Sequence, residues 1–522
     1  MKKGLYLLLT LAFLIMWSSC RKDFDLAPST GTLEFSKDTV YLDTVFTNIG
    51  SSTYNLKVYN RSNNDISIPS IRLGLGDASE YRLNVDGLPG TEFEDIQVLA
   101  EDSIFIFIET TIDINNLPNI NGEFLYTDAI EFDSGSNLQE VELVTLVKDA
   151  TFIFPDRDGT TGIIETLTLD SNGEQVETEI QGRYLEDDEL TFTNEKPYVI
   201  YGYAAIGANK TLNIDAGARV HFHANSGLIV TSQGSLHVNG LLSSDQELLE
   251  NEVIFEGDRL EPGFSDVPGQ WGTIWLFEGS IDNIINYATI KNATVGILND
   301  GDQNAMTTDN KLTIANTQIY NSSNFGILGR ATSIKAENLV INNSGQSSFA
   351  GTIGGKYNFT HCTIANYWNN SFRQFPSLLL NNFVLDEDNN ATVNDLSEAN
   401  FTNCIIYGNE NIEILLDDLE EADFNFNFAN SLIRFNDPNG NFNGNLNYDF
   451  ENTVLYQNIL TEGNPDFKDP SENQLMIGQE SAAEGLGNLS AAALVPLDIL
   501  GVSRVSTPDL GAYQSTIFED ED

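Results

Sequence analysis

The sequence predicts an all-β chain, a β-sandwich followed by a parallel β-helix solenoid. Three observations predict it. A six-residue phrase recurs between Tyr287 and Leu455 at intervals near 22 residues. Apolar residues alternate ahead of the copies with the period of a half-buried strand. Gly, Asn, Thr and aromatic residues mark strands and tight turns along the whole chain, and long helical patterns are scarce.

The copies start at Tyr287, Asn316, Asn338, His361, Asn403, Asn430 and Asn452, separated by 29, 22, 23, 42, 27 and 22 residues. Three residues on stand Ile290, Ile319, Ile341, Ile364, Ile406, Ile433 and Leu455. The alternating residues ahead of them are Leu312 and Ile314, Tyr357 and Phe359, Phe401, Phe426 and Phe428, then Tyr448 and Phe450. One coil cannot bury its apolar face alone, so stacked coils must set Ile on Ile and Phe on Phe. Asn suits the corners because it tolerates left-handed backbone angles and bonds to nearby backbone. Stacked Asn side chains are also expected to form a hydrogen-bonded ladder. The phrase resembles the coils of right-handed parallel β-helix proteins, the pectate-lyase-like superfamily. That likeness covers about half the chain and implies a scaffold rather than an activity.

The N-terminus reads as an address. Lys2 and Lys3 precede an apolar run from Gly4 to Trp17, too short for a comfortable span. Ser18, Ser19 and Cys20 follow. The pattern resembles a bacterial lipoprotein signal, relaxed at Trp17, of the kind found in Bacteroidetes-type surface lipoproteins. The resemblance implies cleavage before Cys20, lipidation of Cys20 (palmitate among the acyl chains) and anchoring to the outer membrane, facing outward. Arg21, Lys22, Asp23 and Asp25 weakly resemble the charged tag of such proteins.

Behind the anchor, residues 20–30 read as lipidated Cys and tether after a signal peptide of 1–19. Residues 31–148 carry short alternating strands such as Tyr54 to Tyr59 and Ser103 to Ile108, which fit an antiparallel sandwich. The phrase from Phe46 to Ser51 and the strand Leu56, Val58, Tyr59 resemble immunoglobulin-like modules of the Hydin/ASPM type; the resemblance is silent about function, and a spacer is the expected role. Residues 149–196, rich in Asp, Glu and Thr, read as a connector with a few strands that leads into the solenoid. The solenoid is expected over 197–515, beginning with short coils at Pro197. Its closing segment ends in Pro508, Asp509, Leu510, Gly511, Ala512 and Tyr513 and resembles the ending of secreted β-helix proteins, where it closes the last coils. Residues 516–522 form an acidic tail.

Composition narrows function. The 522 residues carry a formal net charge of −52, which excludes nucleic acid as a partner and disfavours unaided attraction to polyanions. Cys362 and Cys404 hold the same repeat position and read as free buried thiols, with a disulfide between adjacent coils as the alternative. No Cys or His spacing suggests zinc. Asp300, Asp302 and Asn304 have the spacing of a calcium loop, but Ala305 replaces the required Gly and Lys311 the bidentate Glu. Ca2+ is thus a weak cofactor candidate, and no other is indicated. His221 and His223 sit two apart, a weak metal pair, and His237 and His361 have no triad partners.

Basic residues that could serve a lyase are Lys291, Arg330, Lys335, Lys356 and Arg373, of which Lys291 and Arg330 are the leading catalytic candidates. Trp271, Trp275, Tyr367 and Trp368 are candidates for stacking on a sugar. The expectation is a lipid-anchored envelope protein, leaning non-catalytic, that contacts glycan or another macromolecule through a β-helix face. The alternatives are a polysaccharide lyase or glycoside hydrolase, and a purely structural envelope component.

Overall fold

The computed structural model describes residues 26–116, 123–171, 173–301 and 310–518. The signal segment with Cys20, most of the candidate calcium loop and the last four acidic residues lie outside them. The chain divides into two compact units, Met1–Asp149 and Ala150–Asp522.

The first unit is a two-sheet sandwich. One sheet orders Ala27–Pro28, Ile66–Leu73, Glu123–Phe132, Gln139–Lys148 and Thr39–Phe46, with Glu92–Val98 also on Ile66–Leu73. The other orders Glu34–Phe35, Tyr54–Tyr59, Ser103–Thr110, Tyr81–Val85 and Leu88–Gly90. Alternation drives the packing. Ile104, Ile106 and Ile108 are buried in the shared core, while Phe105 and Phe107 point out between them.

The second unit is a parallel β-helix of three sheets. Sheet I contains Tyr198–Ile200, Arg219–Phe222, Val253–Gly257, Ala288–Lys291, Gln318–Ser322, Val340–Ser344, Thr363–Asn366, Ile405–Gly408 and Leu432–Ile433. Sheet II begins with Tyr203–Ile206, Gly227–Val230, Ile274–Leu276 and Ile297–Asp300, and sheet III with Thr211–Asp215, Ser235–Asn239, Asn283–Asn286 and Leu312–Ala315. Ile327–Glu337 and Phe349–Thr360 bend from sheet II into sheet III, at Ala331 (φ 47°) and Ile353 (φ 58°). A β-branched residue there is strained. Asn381 and Asn394 hold Ile353 in place by bonding its backbone N–H and C=O.

The repeat lies on sheet I. Its third-offset residues form one in-register column, Val220, Phe255, Ile290, Ile319, Ile341, Ile364, Ile406 and Ile433, all fully buried. Phe359, Phe401, Phe428 and Tyr456 stack inside sheet III with centroids 5.1, 5.0 and 5.7 Å apart. The copy starts from Tyr287 to Asn430 all have φ between 46° and 57°. Asn amides bridge the coils, Asn316 to Asn286 at 3.0 Å and Asn338 to Asn316 at 2.8 Å. A second ladder joins Asn343 to Asn321 at 2.7 Å.

Four expectations need correction. The seventh start is Asn458 (φ 51°), not Asn452, because Leu460 pairs with Leu432. Tyr448 is on a 3-10 turn, Leu446–Tyr448, rather than a strand. It packs with Phe435, Phe442 and Phe450 against the last coil, whose open edge needs covering. The stretch 149–196 is no separate connector. Thr151–Ile153 already pairs with Tyr198–Ile200, and Glu174–Tyr184 pairs with Tyr203–Ile206, so the first coil begins there. Its acidic residues face solvent and mask the alternation. Finally, the segment ending at Tyr513 lies along the outer face of sheet I, not over the end of the solenoid. Leu475, Ile499 and Ala512 pack on Val340 and Ala365, and Ile477 and Leu510 on Ile405 and Leu432.

Candidate functional site

Burial inside the coil and cover by the C-terminal segment leave outward positions on sheets II and III, and the early strands of sheet I, for function. The leading basic residues fall on different sheets. Lys291 points out from sheet I, with Nζ 2.9 Å from Glu256 Oε2, and Glu256 Oε1 is 3.6 Å from His221 Nδ1. Burial works to raise the Glu256 carboxyl, but His221 and Lys291 outweigh it and hold it below the usual range. Arg330 points out from sheet II and grips Asp300 with both ends of its fork, Nε to Oδ1 at 2.5 Å and Nη2 to Oδ2 at 2.6 Å. The two cannot share one reaction centre.

The remaining basic candidates are also paired. Lys335 lies 2.7 Å from Glu337 and Lys356 3.5 Å from Glu398, both on sheet III. Arg373 is not an available base, because it is buried in a bidentate pair with Glu413 at 2.7 and 2.8 Å. Asp300 turns its carboxylate to Arg330 and its carbonyl to the Lys311 ammonium, which also bonds the carbonyls of Leu276 and Phe277. Burial brings Lys311 down to about 7.

The histidines diverge. His221 Nδ1 lies against Gly257 O, whereas His223 bonds Asp258 at 2.8 Å and stacks on Tyr201. His237 pairs with Asp282, and His361 takes a corner beside Asn403. No group of three His, Cys, Asp or Glu among the described residues is placed to hold a metal. Cys362 and Cys404 are buried free thiols.

Of the four aromatic candidates, three are withdrawn from a ligand. Trp271 is 1% exposed, stacks on Phe222 at 4.3 Å and donates to Lys291 O. Trp368 is buried and bonds Ser371. Tyr367 packs edge-on against Phe467 of the C-terminal segment. Trp275 alone among these faces outward and half-exposed, on sheet II, its indole N–H 2.8 Å from Asp300 Oδ2. It heads an outer-face column, Trp275, Leu298, Leu328, Ala350, Leu379 and Leu415, paired in register over five strand steps of about 4.8 Å, of which Ala350 and Leu379 are buried and the rest part-exposed. Asp300, Arg330 and Thr352 run beside it in register.

At the other border lies an open groove of about 550 Å³ lined by Glu179, Ile180, Gln181, Tyr203, Asn225, Gly272, Thr273, Thr294 and Val295. Its wall is the hairpin Thr166–Ser171 and Glu174–Tyr184, whose Leu167, Leu169 and Ile180 pack on Ala205 and Ile229 together with Trp275 and Phe277. None of these groove residues was singled out from sequence. The alternation of Leu167 with Leu169, inside a stretch read as connector, was the available signal.

No helix among the described residues is long and apolar enough to cross a membrane. No family model matches the chain, and no curated protein matches it. Solved structures similar to parts of it include a family 123 glycoside hydrolase from Clostridium perfringens, at 10% identity and a TM-score of 0.16 over 23% of this chain and 30% of that one. A PapD-like domain of human CEP192 matches 23% of this chain and 86% of its own, at 11% identity and 0.15. The catalytic domain of a GH87 alpha-1,3-glucanase matches 73% and 80%, at 9% identity and 0.13. Scores this low carry no functional inference.

Proposed function

We propose that the chain is a lipid-anchored protein of the bacterial outer membrane, of the Bacteroidetes surface-lipoprotein type. In this reading its sandwich is a spacer, and its β-helix, of the pectate-lyase-like superfamily, binds glycan without turning it over. The observation that carries the binding role is the sheet II stripe headed by Trp275, flanked by Asp300 and Arg330 and bordered by a groove. An aromatic ring beside an apolar strip with polar margins suits a sugar, whose ring faces are apolar and whose edges carry hydroxyls.

Two features favour binding over chemistry. Hydrolysis requires a carboxylate pair across the scissile bond, and both oxygens of Asp300 are engaged by Trp275 and Arg330. A lyase needs a base and a neutralising cation at one place, and Lys291 and Arg330 stand paired on separate sheets. The test is a polysaccharide panel of neutral and uronate polymers, scored for retention and for turnover by absorbance and reducing ends. Retention lost in Trp275→Ala without turnover supports the reading. Turnover abolished by Lys291→Ala or Arg330→Ala sinks it. For the anchor, Cys20→Ser should abolish acyl labelling, and undiminished labelling refutes lipidation.

A further inference from the structure

We propose that the groove beside Trp275 is a subsite for an uncharged, hydroxyl-rich sugar unit, and that Glu179 excludes uronate and sulfated sugars from it. The inference rests on the glycan-binding reading and adds the class of sugar and the residues that select it.

The groove is built rather than incidental. Its floor consists of the turns that precede three consecutive sheet II strands, at Asn225, Gly272 to Thr273, and Thr294 to Val295. Tyr203 is seated by two glycines. A Cβ at Gly272 would lie 2.3 Å from the Tyr203 hydroxyl, and one at Gly227 2.7 Å from the edge of its ring. Only glycine at both places lets the ring lie flat against the coil and present itself to the groove. Ile180 on the facing wall and Val295 on the floor supply further apolar surface.

The polar side of the lining points to a ligand. Thr273 is 7% exposed, yet its Oγ1 has no hydrogen-bond partner. Buried hydroxyls are nearly always satisfied, so this orphan, in a residue that lines the groove, is accounted for if a ligand hydroxyl reaches it on binding. Gln181 and Asn225 add groups that both donate and accept, and the Thr294 hydroxyl, which donates to Trp271 O, still accepts. A sugar hydroxyl also does both, so the set matches a polyol and has no preference for an ion.

Charge decides the class of sugar. The lining holds no Lys, Arg or His, and its one carboxylate is Glu179. The whole chain carries −52. A uronate or sulfate here would meet a carboxylate in a negative field with nothing to neutralise it. Ile180 and Tyr203 of the groove pack in the same apolar cluster as Trp275 and Phe277, which places the groove near the head of the stripe. The volume, about 550 Å³, falls within the usual range for small-ligand sites.

The experiment is calorimetric titration of the full chain with neutral and uronate oligosaccharides of equal length. Thr273→Val keeps shape and removes a hydroxyl that no protein group uses. It should leave thermal stability unchanged or raised while weakening the neutral ligand about tenfold, the worth of one good hydrogen bond. Tyr203→Leu should weaken it at least as much. Glu179→Gln should raise uronate binding several-fold and leave the neutral ligand nearly unchanged. If Thr273→Val and Tyr203→Leu bind like the parent while Trp275→Ala loses binding, the glycan face stands and the subsite is overturned. A parent that prefers uronates overturns the charge argument. A parent that binds no glycan overturns both readings.

Discussion

Glu413→Leu is expected to be among the most damaging single substitutions in the solenoid. The Glu413 carboxylate is fully buried and accepts five hydrogen bonds. Arg373 donates at 2.7 and 2.8 Å, Ser377 through N and Oγ at 2.8 and 2.7 Å, and Glu410 N at 2.9 Å. Removing it leaves the Arg373 guanidinium buried without a counter-charge, which costs about 3–5 kcal/mol. The stranded Ser377 and Glu410 donors push the value towards the upper end. Arg373→Met should cost less, because Glu413 keeps three donors. The double variant Arg373→Met/Glu413→Leu should fall well short of the sum, since each single variant strands one buried charge and the double strands neither. Because solenoid coils can open in parts, the assay is native-state hydrogen exchange at Ile405–Gly408 and Ile414–Asp417 beside the urea midpoint. A loss under about 1 kcal/mol for Glu413→Leu, or a double variant equal to the sum of the singles, would refute the reasoning.

Burial first, and Arg504 second, bring His361 down to about 3, so it folds neutral. A depressed folded value contributes stability that is full above the unfolded value of about 6.5 and is lost as pH falls towards 3, at up to about 1.4 kcal/mol per pH unit. His361→Asn, which restores the commoner corner residue, should flatten that acid limb of urea midpoint against pH. Asn316 holds φ 48° and two ladder bonds. Both Asn316→Ala and Asn316→Gly lose the bonds, about 1 kcal/mol each, and Ala should be worse than Gly by about 1 kcal/mol for its left-handed Cβ, read by chemical denaturation. Cys362 and Cys404 are buried, and desolvation raises the Cys362 thiol further. A thiol alkylator should therefore modify neither in the folded chain and both in denaturant, scored by mass shift.

The stacking positions were legible in the sequence because their chemistry is monotonous. A left-handed corner wants Asn and a coil interior wants Ile, so Asn316, Asn338, Ile319 and Ile341 announce themselves at a fixed spacing. The insertions were legible as irregular intervals. The 29-residue interval holds the segment between Asp300 and Lys311, and the 42-residue one holds the hairpin Phe383–Leu385 with Ala391–Val393. What failed was register where the phrase loosens. Asn452 and Asn458 are both Asn, and only the pairing of Leu460 with Leu432 separates them. The course of the C-terminal segment was hidden for another reason. Its Leu475, Ile477 and Leu510 say that it buries a face, but not that Val340 and Ile405, which point outward from sheet I, need covering.

The candidate site was harder to read, and Trp271 and Trp275 explain why. Four residues apart, they share the parity of one strand, so alternation alone puts both rings on the outer face. The strand begins only at Ile274, however, and Trp271 stands before it in a bridge to Ala293. The chain turns between them, and the turn sends one indole inward onto Phe222 and leaves the other beside Asp300. Parity holds within a strand and is lost at each corner, and a β-helix has three corners per coil. Ligand-facing residues gather at those corners, as Asn225, Thr273 and Thr294 do. They come from consecutive coils yet stand 48 and 21 residues apart in sequence. The same stacking that makes the scaffold periodic thus scatters its groove across intervals of unequal length. Function on such a fold has to be sought in columns of the stacked coils, not in motifs along the chain.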